Sequence, residues 1–416
     1  MRTALVLRGL MVPLAGSIAL FIAASEYLSL RALEPRDPDS SLFQLQASQP
    51  WGGFAAQELA RGLYGDPTLD PRSAEPVLAW QLARSPLNPW RWLDRAELAY
   101  AAGEDWARVL WHLDAAVAVQ PEDRSLRWEA AEFARKTRHF AVAEEHLRHW
   151  LQNNPGGTSR ALRAAADWIA DPDSRLTRIL PEGEPFLEAA LEFARRERDM
   201  NMAMVVWDRL ERPRTPEDRA LLDFVDLALA TGKHGLAAEA WAESFSDYRP
   251  GQVPNADFQH AFGPARALHW HTRMPRGTRV TRDPNQFVTE PASLQVSFDG
   301  SENPHLQQPS ISIPVDPEIG RWKIFGSWRG EALTTRSLPY VSVSAQGAVP
   351  ARADIPASNF DWTPFTLEID IPKGTTLLTL QLRRDALSRE FDRYIAGDLW
   401  LDAIRISPIP TTPSPP

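Results

Sequence analysis

Two periods divide the chain. From about residue 51 to 248 apolar positions recur at helical spacing, three and four residues apart, and the pattern repeats every 34 residues. Ala96/Ala130, Trp106/Phe140, Val109/Ala143, Leu113/Leu147 and Pro121/Pro155 form one set at that interval; Leu187/Leu221, Ala194/Ala228, Ala203/Ala237 and Trp207/Trp241 form a second. After residues 250–254 the period becomes two. Leu294, Val296 and Phe298 alternate with Gln295 and Ser297, and Ile311/Ile313/Val315, Val341/Val343, Phe365/Leu367/Ile369/Ile371, Leu378/Leu380/Leu382 and Leu399/Leu401 follow. Short half-buried strands separated by turn residues predict a two-sheet antiparallel sandwich. Near Asp402 and Ala403 the alternation slips, because Ile404 and Ile406 take the opposite phase, which predicts a bulge in the last strand.

In front of both parts stands an apolar run at residues 5–24, whose uncharged portion begins at Gly9 and is closed by Glu26. Sixteen residues at ~1.5 Å each span about 24 Å, short of the roughly 30 Å hydrocarbon core. Counting from Leu5, with Arg8 snorkelling to the interface, restores the length. Arg2 and Arg8 keep that end cytoplasmic and send the rest across the membrane. The competing expectation is a cleaved signal peptide, since Ala23-Ala24-Ser25 offers the small residues a peptidase needs. The expected organisation is an anchor at 1–30, a linker at 31–50, helical repeats at 51–248, a linker at 249–254, a sandwich at 255–409 and a Pro-rich tail at 410–416.

Small residues let paired helices approach, large ones fill the gaps, and prolines stop the second helix. In period and residue type the middle region resembles the tetratricopeptide repeat. The stretch 103–121 is one residue longer than the usual unit, and 171–185, with three prolines, breaks the register between the sets. Four to six helix pairs are expected, with 55–63 and 74–83 as an earlier pair. Such pairs stack into a solenoid whose concave face holds a peptide or a neighbouring protein. Trp90, Trp92, Trp111, Trp128, Trp150 and Trp168 invite an aromatic groove, but at helical spacing inter-helix packing is the better reading for most.

Composition narrows the function. The 416 residues carry a net charge of −9 without a sustained Lys/Arg run, which argues against nucleic acid as a partner. There is no cysteine, which excludes thiol chemistry, Cys-ligated zinc and disulfides. The chain has no phosphate-cradling Gly-rich loop, no Gly-x-Ser-x-Gly elbow and no dinucleotide fingerprint. His269 and His271 flank Trp270 without an identified third metal ligand. The expectation is therefore a non-enzymatic protein.

The segments Leu268-His269-Trp270-His271, Ala292-Ser293-Leu294-Gln295-Val296-Ser297-Phe298-Asp299-Gly300 and Trp328-Arg329-Gly330-Glu331 stand in the strand region. With Trp362-Thr363-Pro364-Phe365 and the closing run from Phe391 to Asp402, they make it resemble jelly-roll, carbohydrate-binding-module-like domains. Such domains follow tetratricopeptide repeats in bacterial exopolysaccharide and O-antigen loci. The resemblance implies a jelly-roll sandwich and a membrane-anchored periplasmic accessory protein of surface-polysaccharide assembly or export. Its repeat would dock envelope proteins and its sandwich would hold glycan. The alternatives are a purely protein-binding envelope scaffold or, behind it, a polysaccharide-modifying enzyme.

Sugar recognition needs an aromatic face for the C–H side of a pyranose and polar groups for its hydroxyls. Trp400 alternates away from Leu399 and Leu401 and shares its strand face with Asp398, while Arg383 alternates away from Leu378, Leu380 and Leu382. These three are the leading candidates. Trp270 and Trp362 sit beside strand ends and either cap the sandwich or line a cleft; Arg329 and Glu331 are weaker candidates, as an ion pair across a turn. Trp322, Ile324 and Trp328 read as core. The resemblance also implies a structural calcium, for which Asp257 and Asp402 are candidate ligands, although Gln259 stands where such modules commonly have Glu.

Overall fold

The computed structural model describes residues 60–66, 68–152, 154–211, 214–215, 217–388 and 393–410. The proposed anchor at residues 5–24, the linker at 31–50 and most of the tail lie outside them. Among the described residues no helix is long and apolar enough to cross a membrane.

A helical region precedes a two-sheet antiparallel sandwich, and the chain divides into two compact units. The first runs to Ala170 and includes Thr177–Pro181; the second comprises Asp171–Leu176 and the chain from Glu182 onward. The first contains α1 (Glu75–Arg84), α2 (Pro89–Ala101), α3 (Trp106–Val119), α4 (Arg124–Lys136), α5 (Phe140–Leu151) and α6 (Thr158–Ala165). α7 (Pro172–Ile179) contributes to both units. The second contains α8 (Glu184–Glu197), α9 (Met200–Arg209), α10 (Arg219–Ala230), α11 (His234–Ser244) and the whole sandwich.

The helices pack as hairpins: α2 with α3, α4 with α5, α8 with α9 and α10 with α11. Short acidic or amide side chains start them. Asn88 accepts from the Trp90 N–H at 3.1 Å, Asp105 from Arg108 at 2.8 Å, Asp123 from Ser125 at 2.8 Å, Asp199 from Met202 at 3.0 Å and Asp218 from Ala220 at 2.8 Å. Each satisfies an amide that the first turn leaves without a partner. At the 34-residue interval Val109/Ala143, Leu113/Leu147, Ala194/Ala228, Ala203/Ala237 and Trp207/Trp241 are buried on both sides, whereas Ala96 stands level with Ala131 and not with Ala130. The extra residue of the first unit lies in the α2–α3 turn: α2 begins 35 residues before α4, but α3 begins 34 before α5.

Tryptophans of the helical region pack against neighbours. Trp92 meets Trp111 edge-on at 5.6 Å, Trp128 meets Trp150 at 4.8 Å, and Trp168 stacks on Phe140 at 5.3 Å. Trp111 alone of the six stands out among exposed large apolar residues.

In the sandwich, β1 (Thr278–Asp283), β2 (Ser293–Asp299), β9 (Ala396–Pro408), β4 (Arg321–Glu331) and β7 (Phe360–Asp370) form one sheet in that order. The other sheet is β3 (Ser310–Pro314), β8 (Leu377–Arg383), β5 (Tyr340–Ala345) and β6 (Ala351–Asp354). The inward alternation predicted from sequence builds one core, in which Leu294, Val296, Trp322, Ile324, Trp328, Val341, Leu380 and Leu399 are buried together. The bulge is present. Phe325 pairs with Arg405 and Ser327 with Asp402, so three steps along β9 oppose two along β4, and Ala403 takes φ 52°.

Candidate functional site

The two outer sheet faces differ in how much hydrogen-bonding capacity they leave open. On the five-stranded sheet, register sets Arg329 opposite Trp400 and Glu331 opposite Asp398, with Ser297 and Gln295 on the next strand. Of the leading candidates, Trp400 and Asp398 share this face, and the register adds Arg329 and Glu331, which the sequence suggests only as an ion pair across a turn. Sequence reasoning did not foresee that the group is covered. Trp400 points away from the core yet is only 5% exposed. Its indole N–H donates to Asp283 Oδ2 at 2.8 Å, and the Arg329 guanidinium lies 5.4 Å from its ring centre. Arg329 also donates to Gln286 and reaches Glu331 at 3.4 Å. Asp398 accepts from Gln295 at 2.9 Å and Ser297 at 2.5 Å. The expected open platform at Trp400 is thus corrected: the ring is buried, held by Asp283 at the end of β1, while the segment after β1 reaches Arg329 and Asp402 through Gln286, Val288 and Thr289.

Trp362 is half-buried on β7, the edge strand of the same sheet, and alternates with the core-facing Phe365 row. Trp270 belongs to the core of the sandwich. It is 2% exposed, its N–H donates to the Pro254 carbonyl at 3.1 Å, and its ring meets Phe258 at 5.4 Å. Its position beside a strand end concealed a core role that depends on a loop sixteen residues away.

The two candidate calcium ligands have protein partners. Arg405 pairs with Asp257 at 2.7 and 2.9 Å. Asp402 is fully buried and accepts from the Val288, Thr289 and Ala403 amides at 2.6, 2.8 and 2.6 Å. Burial raises the Asp402 pKa above the ordinary carboxylate value. No group of three acidic or imidazole side chains suited to a metal occurs among the described residues. His269 packs edge-on against Trp241 at 4.8 Å, and His271 pairs its backbone with Ser310.

Arg383 lies on the other sheet, not with Trp400. There the residues alternating with Leu378, Leu380 and Leu382 make an outer face of Thr379, Gln381 and Arg383. Across the sheet Arg383 is in register with Tyr340, which pairs with Asp354; Gln381 is in register with Ser310 and Ser342, which pairs with Arg352. The Arg383 Nε is buried with no hydrogen-bond partner among the described residues. Arg352 stacks on Tyr340 at 3.6 Å from guanidinium carbon to ring centre and donates to Asp354 at 2.6 Å. The neighbouring Arg384 is the opposite case. It is fully buried at the sheet end and donates to the carbonyls of Ser337, Pro304 and Arg393 at 2.9, 2.7 and 3.0 Å.

The four-stranded face thus sets the unpartnered Arg383 Nε beside the Gln381 amide, while Ser342 and Tyr340 are buried, the Ser342 hydroxyl donating to the Ala351 carbonyl at 3.1 Å and the Tyr340 hydroxyl reaching Asp385 at 3.4 Å. Sequence reasoning missed Tyr340, Gln381 and Arg352 here. The signal was available, because Val341, Val343 and Leu382 had been read as inward and their neighbours must point outward.

No protein-family model and no curated protein matches the chain. Among solved structures, the sandwich is similar to the CBM22-1 xylan-binding domain of Paenibacillus barcinonensis Xyn10C, at 17% identity over 34% of this chain and 86% of that one, with a TM-score of 0.23. It is similar also to carbohydrate-binding module CBM6cm-2 of Cellvibrio mixtus lichenase 5A in complex with cellotriose, at 14% identity over 33% of this chain and 92% of that one, with a TM-score of 0.20. A third is TmCBM61 in complex with β-1,4-galactotriose, at 13% identity, covering 38% and 97% of the two chains, with a TM-score of 0.25. At these values no binding residue and no sugar carries over from them.

Proposed function

We propose that this is a non-enzymatic, membrane-anchored accessory protein of the bacterial envelope, serving assembly or export of a surface polysaccharide. It holds glycan on the outer face of the four-stranded sheet and docks a partner protein on its helical hairpins. Residues 5–24 anchor it in the inner membrane, with the bulk of the chain periplasmic.

The glycan reading is carried by one observation: the buried, unpartnered Nε of Arg383 in a row with Tyr340 and beside Gln381. A buried donor left unsatisfied costs ~1–3 kcal/mol, so a ligand oxygen supplied there stabilises the complex. Sheet geometry places successive outward residues of β8 about 7 Å apart and those of adjacent strands about 5 Å apart. That spacing matches the hydroxyls of neighbouring sugar rings, and serine, threonine, amide and guanidinium groups are the donors and acceptors hydroxyls need. The extended form of a sheet face suits a polymer rather than a small molecule.

Binding of the full-length protein to the host's surface polysaccharide, followed by affinity electrophoresis, tests this. Arg383→Ala is expected to weaken binding at least about tenfold, the worth of one charge-assisted hydrogen bond. Trp400→Phe is expected to leave it intact. Folded protein that does not bind, or binding indifferent to Arg383→Ala, would reject this face.

A purely protein-binding scaffold is the second reading. Exposed Trp111, with Arg108 5.2 Å from its ring centre, is the observation favouring it, since an exposed aromatic beside a cation is a typical anchor for a protein partner.

A further inference from the structure

The second compact unit holds a cavity of about 250 Å³ where the chain leaves α11 and enters the sandwich. Tyr248 lines it. The side chain is 3% exposed, and its hydroxyl is buried without a hydrogen-bond partner among the described residues. Burial raises the phenol's pKa well above its ordinary value, so the group stays a neutral donor and acceptor.

The charges around the cavity have partners already. Arg405 is held by Asp257 at 2.7 and 2.9 Å, and Asp247 meets His260 Nε2 at 3.0 Å. No cation is left over for an anionic ligand. What remains open is the Tyr248 hydroxyl, the side-chain amides of Gln252 and Gln259, and Asp257 Oδ1, whose charge Arg405 neutralises at 2.7 Å but which takes no hydrogen bond among the described residues. Val253 and Ile406 add apolar wall on the same cavity.

A neutral ligand that offers both hydroxyls and a C–H face fits this lining. Size sets the upper limit, because pockets for drug-sized ligands begin near 300 Å³. We infer that the cavity is a binding site for one neutral pyranose ring, separate from the outer face of the four-stranded sheet. It shares no residue with the Arg383 row, so either site can stand without the other.

Saturation-transfer NMR on the full-length protein in detergent tests the inference, with methyl β-D-glucoside, methyl β-D-galactoside and N-acetylglucosamine as probes and glucuronate as charged control. At least one neutral probe is expected to receive saturation at millimolar concentration, and glucuronate to receive none. Tyr248→Phe keeps the ring and removes only the hydroxyl. It is expected to weaken the neutral probe roughly three- to tenfold without lowering the melting temperature. Gln259→Ala, at an exposed position whose loss leaves the fold intact, is expected to weaken it similarly, and Arg383→Ala to leave it unchanged. The inference is overturned if no neutral probe binds, if glucuronate binds equally, if binding survives both Tyr248→Phe and Gln259→Ala, or if Arg383→Ala abolishes it.

Discussion

At the scale of single residues, burial decides the chemistry more than residue type does. His112 and His146 occupy equivalent repeat positions 34 residues apart, and both are 3% exposed. Burial, reinforced by nearby arginines, lowers each pKa from 6.5 to about 4. The unfolded chain therefore binds more protons than the folded one between pH 6.5 and 4, and stability must fall as pH falls through that window. Each histidine contributes a slope of up to about 1.4 kcal/mol per pH unit. Urea unfolding at pH 7, 5.5 and 4.5 is expected to show this loss, and His112→Leu to reduce the slope, the rest coming from His146 and from His234 and His271, whose pKa values burial also lowers. A slope unchanged in His112→Leu would show that the ring titrates alike in the folded and unfolded chain. Trp400 carries the companion lesson. Its direction was legible from alternation with Leu399 and Leu401, but its cover was not, because Asp283 lies 117 residues away. Trp400→Phe is expected to lower unfolding free energy by ~1 kcal/mol, since it strands the Asp283 carboxylate.

Elements were legible where the pattern was local. The 34-residue repeat, the inward strand positions and the β9 bulge all follow from spacing that neighbouring residues enforce on one another. The turn inside each hairpin shows a detail that spacing alone does not reveal. Gly103, Arg138, Arg198 and Gly232 have φ of 72°, 63°, 55° and 74°, so all four hairpin turns use the left-handed conformation just after the first helix. Two carry the residue that conformation favours, and two pay for a side chain there. Left-handed backbone costs a non-glycine residue ~1–2 kcal/mol, against ~0.5–1 kcal/mol of extra entropy lost by glycine on folding. Arg138→Gly and Arg198→Gly are each expected to raise stability by about 0.5 kcal/mol, read as a higher denaturation midpoint with an unchanged m-value. A loss of stability in both would mean that the arginine side chains make compensating contacts.

For the molecule as a whole, the change of period at residues 249–254 marks where helices give way to strands, while one compact unit runs across it. Sequence periodicity cannot report this, because the joining contacts are made by side chains some 40 to 140 positions apart. Asp226 on α10 accepts from Arg266 Nε at 2.7 Å and from the Ala267 N–H at 2.7 Å, and Asp223 accepts from Arg266 Nη2 at 2.6 Å. His234 at the start of α11 meets Thr376 Oγ1 at 2.6 Å. The loop leading into the sandwich is thereby tied to the last helical hairpin before the core residue Trp270 is reached. Asp226→Ala removes two of these bonds and leaves a guanidinium and an amide short of acceptors, an expected loss of ~2–3 kcal/mol. If the hairpin and the sandwich fold as one unit, helix ellipticity and hydrogen-exchange protection of the β9 amides should be lost together at a lower denaturant concentration. A shift in ellipticity alone would mean that the sandwich holds its core without the hairpin, and the four-stranded face could then be studied on an independent domain.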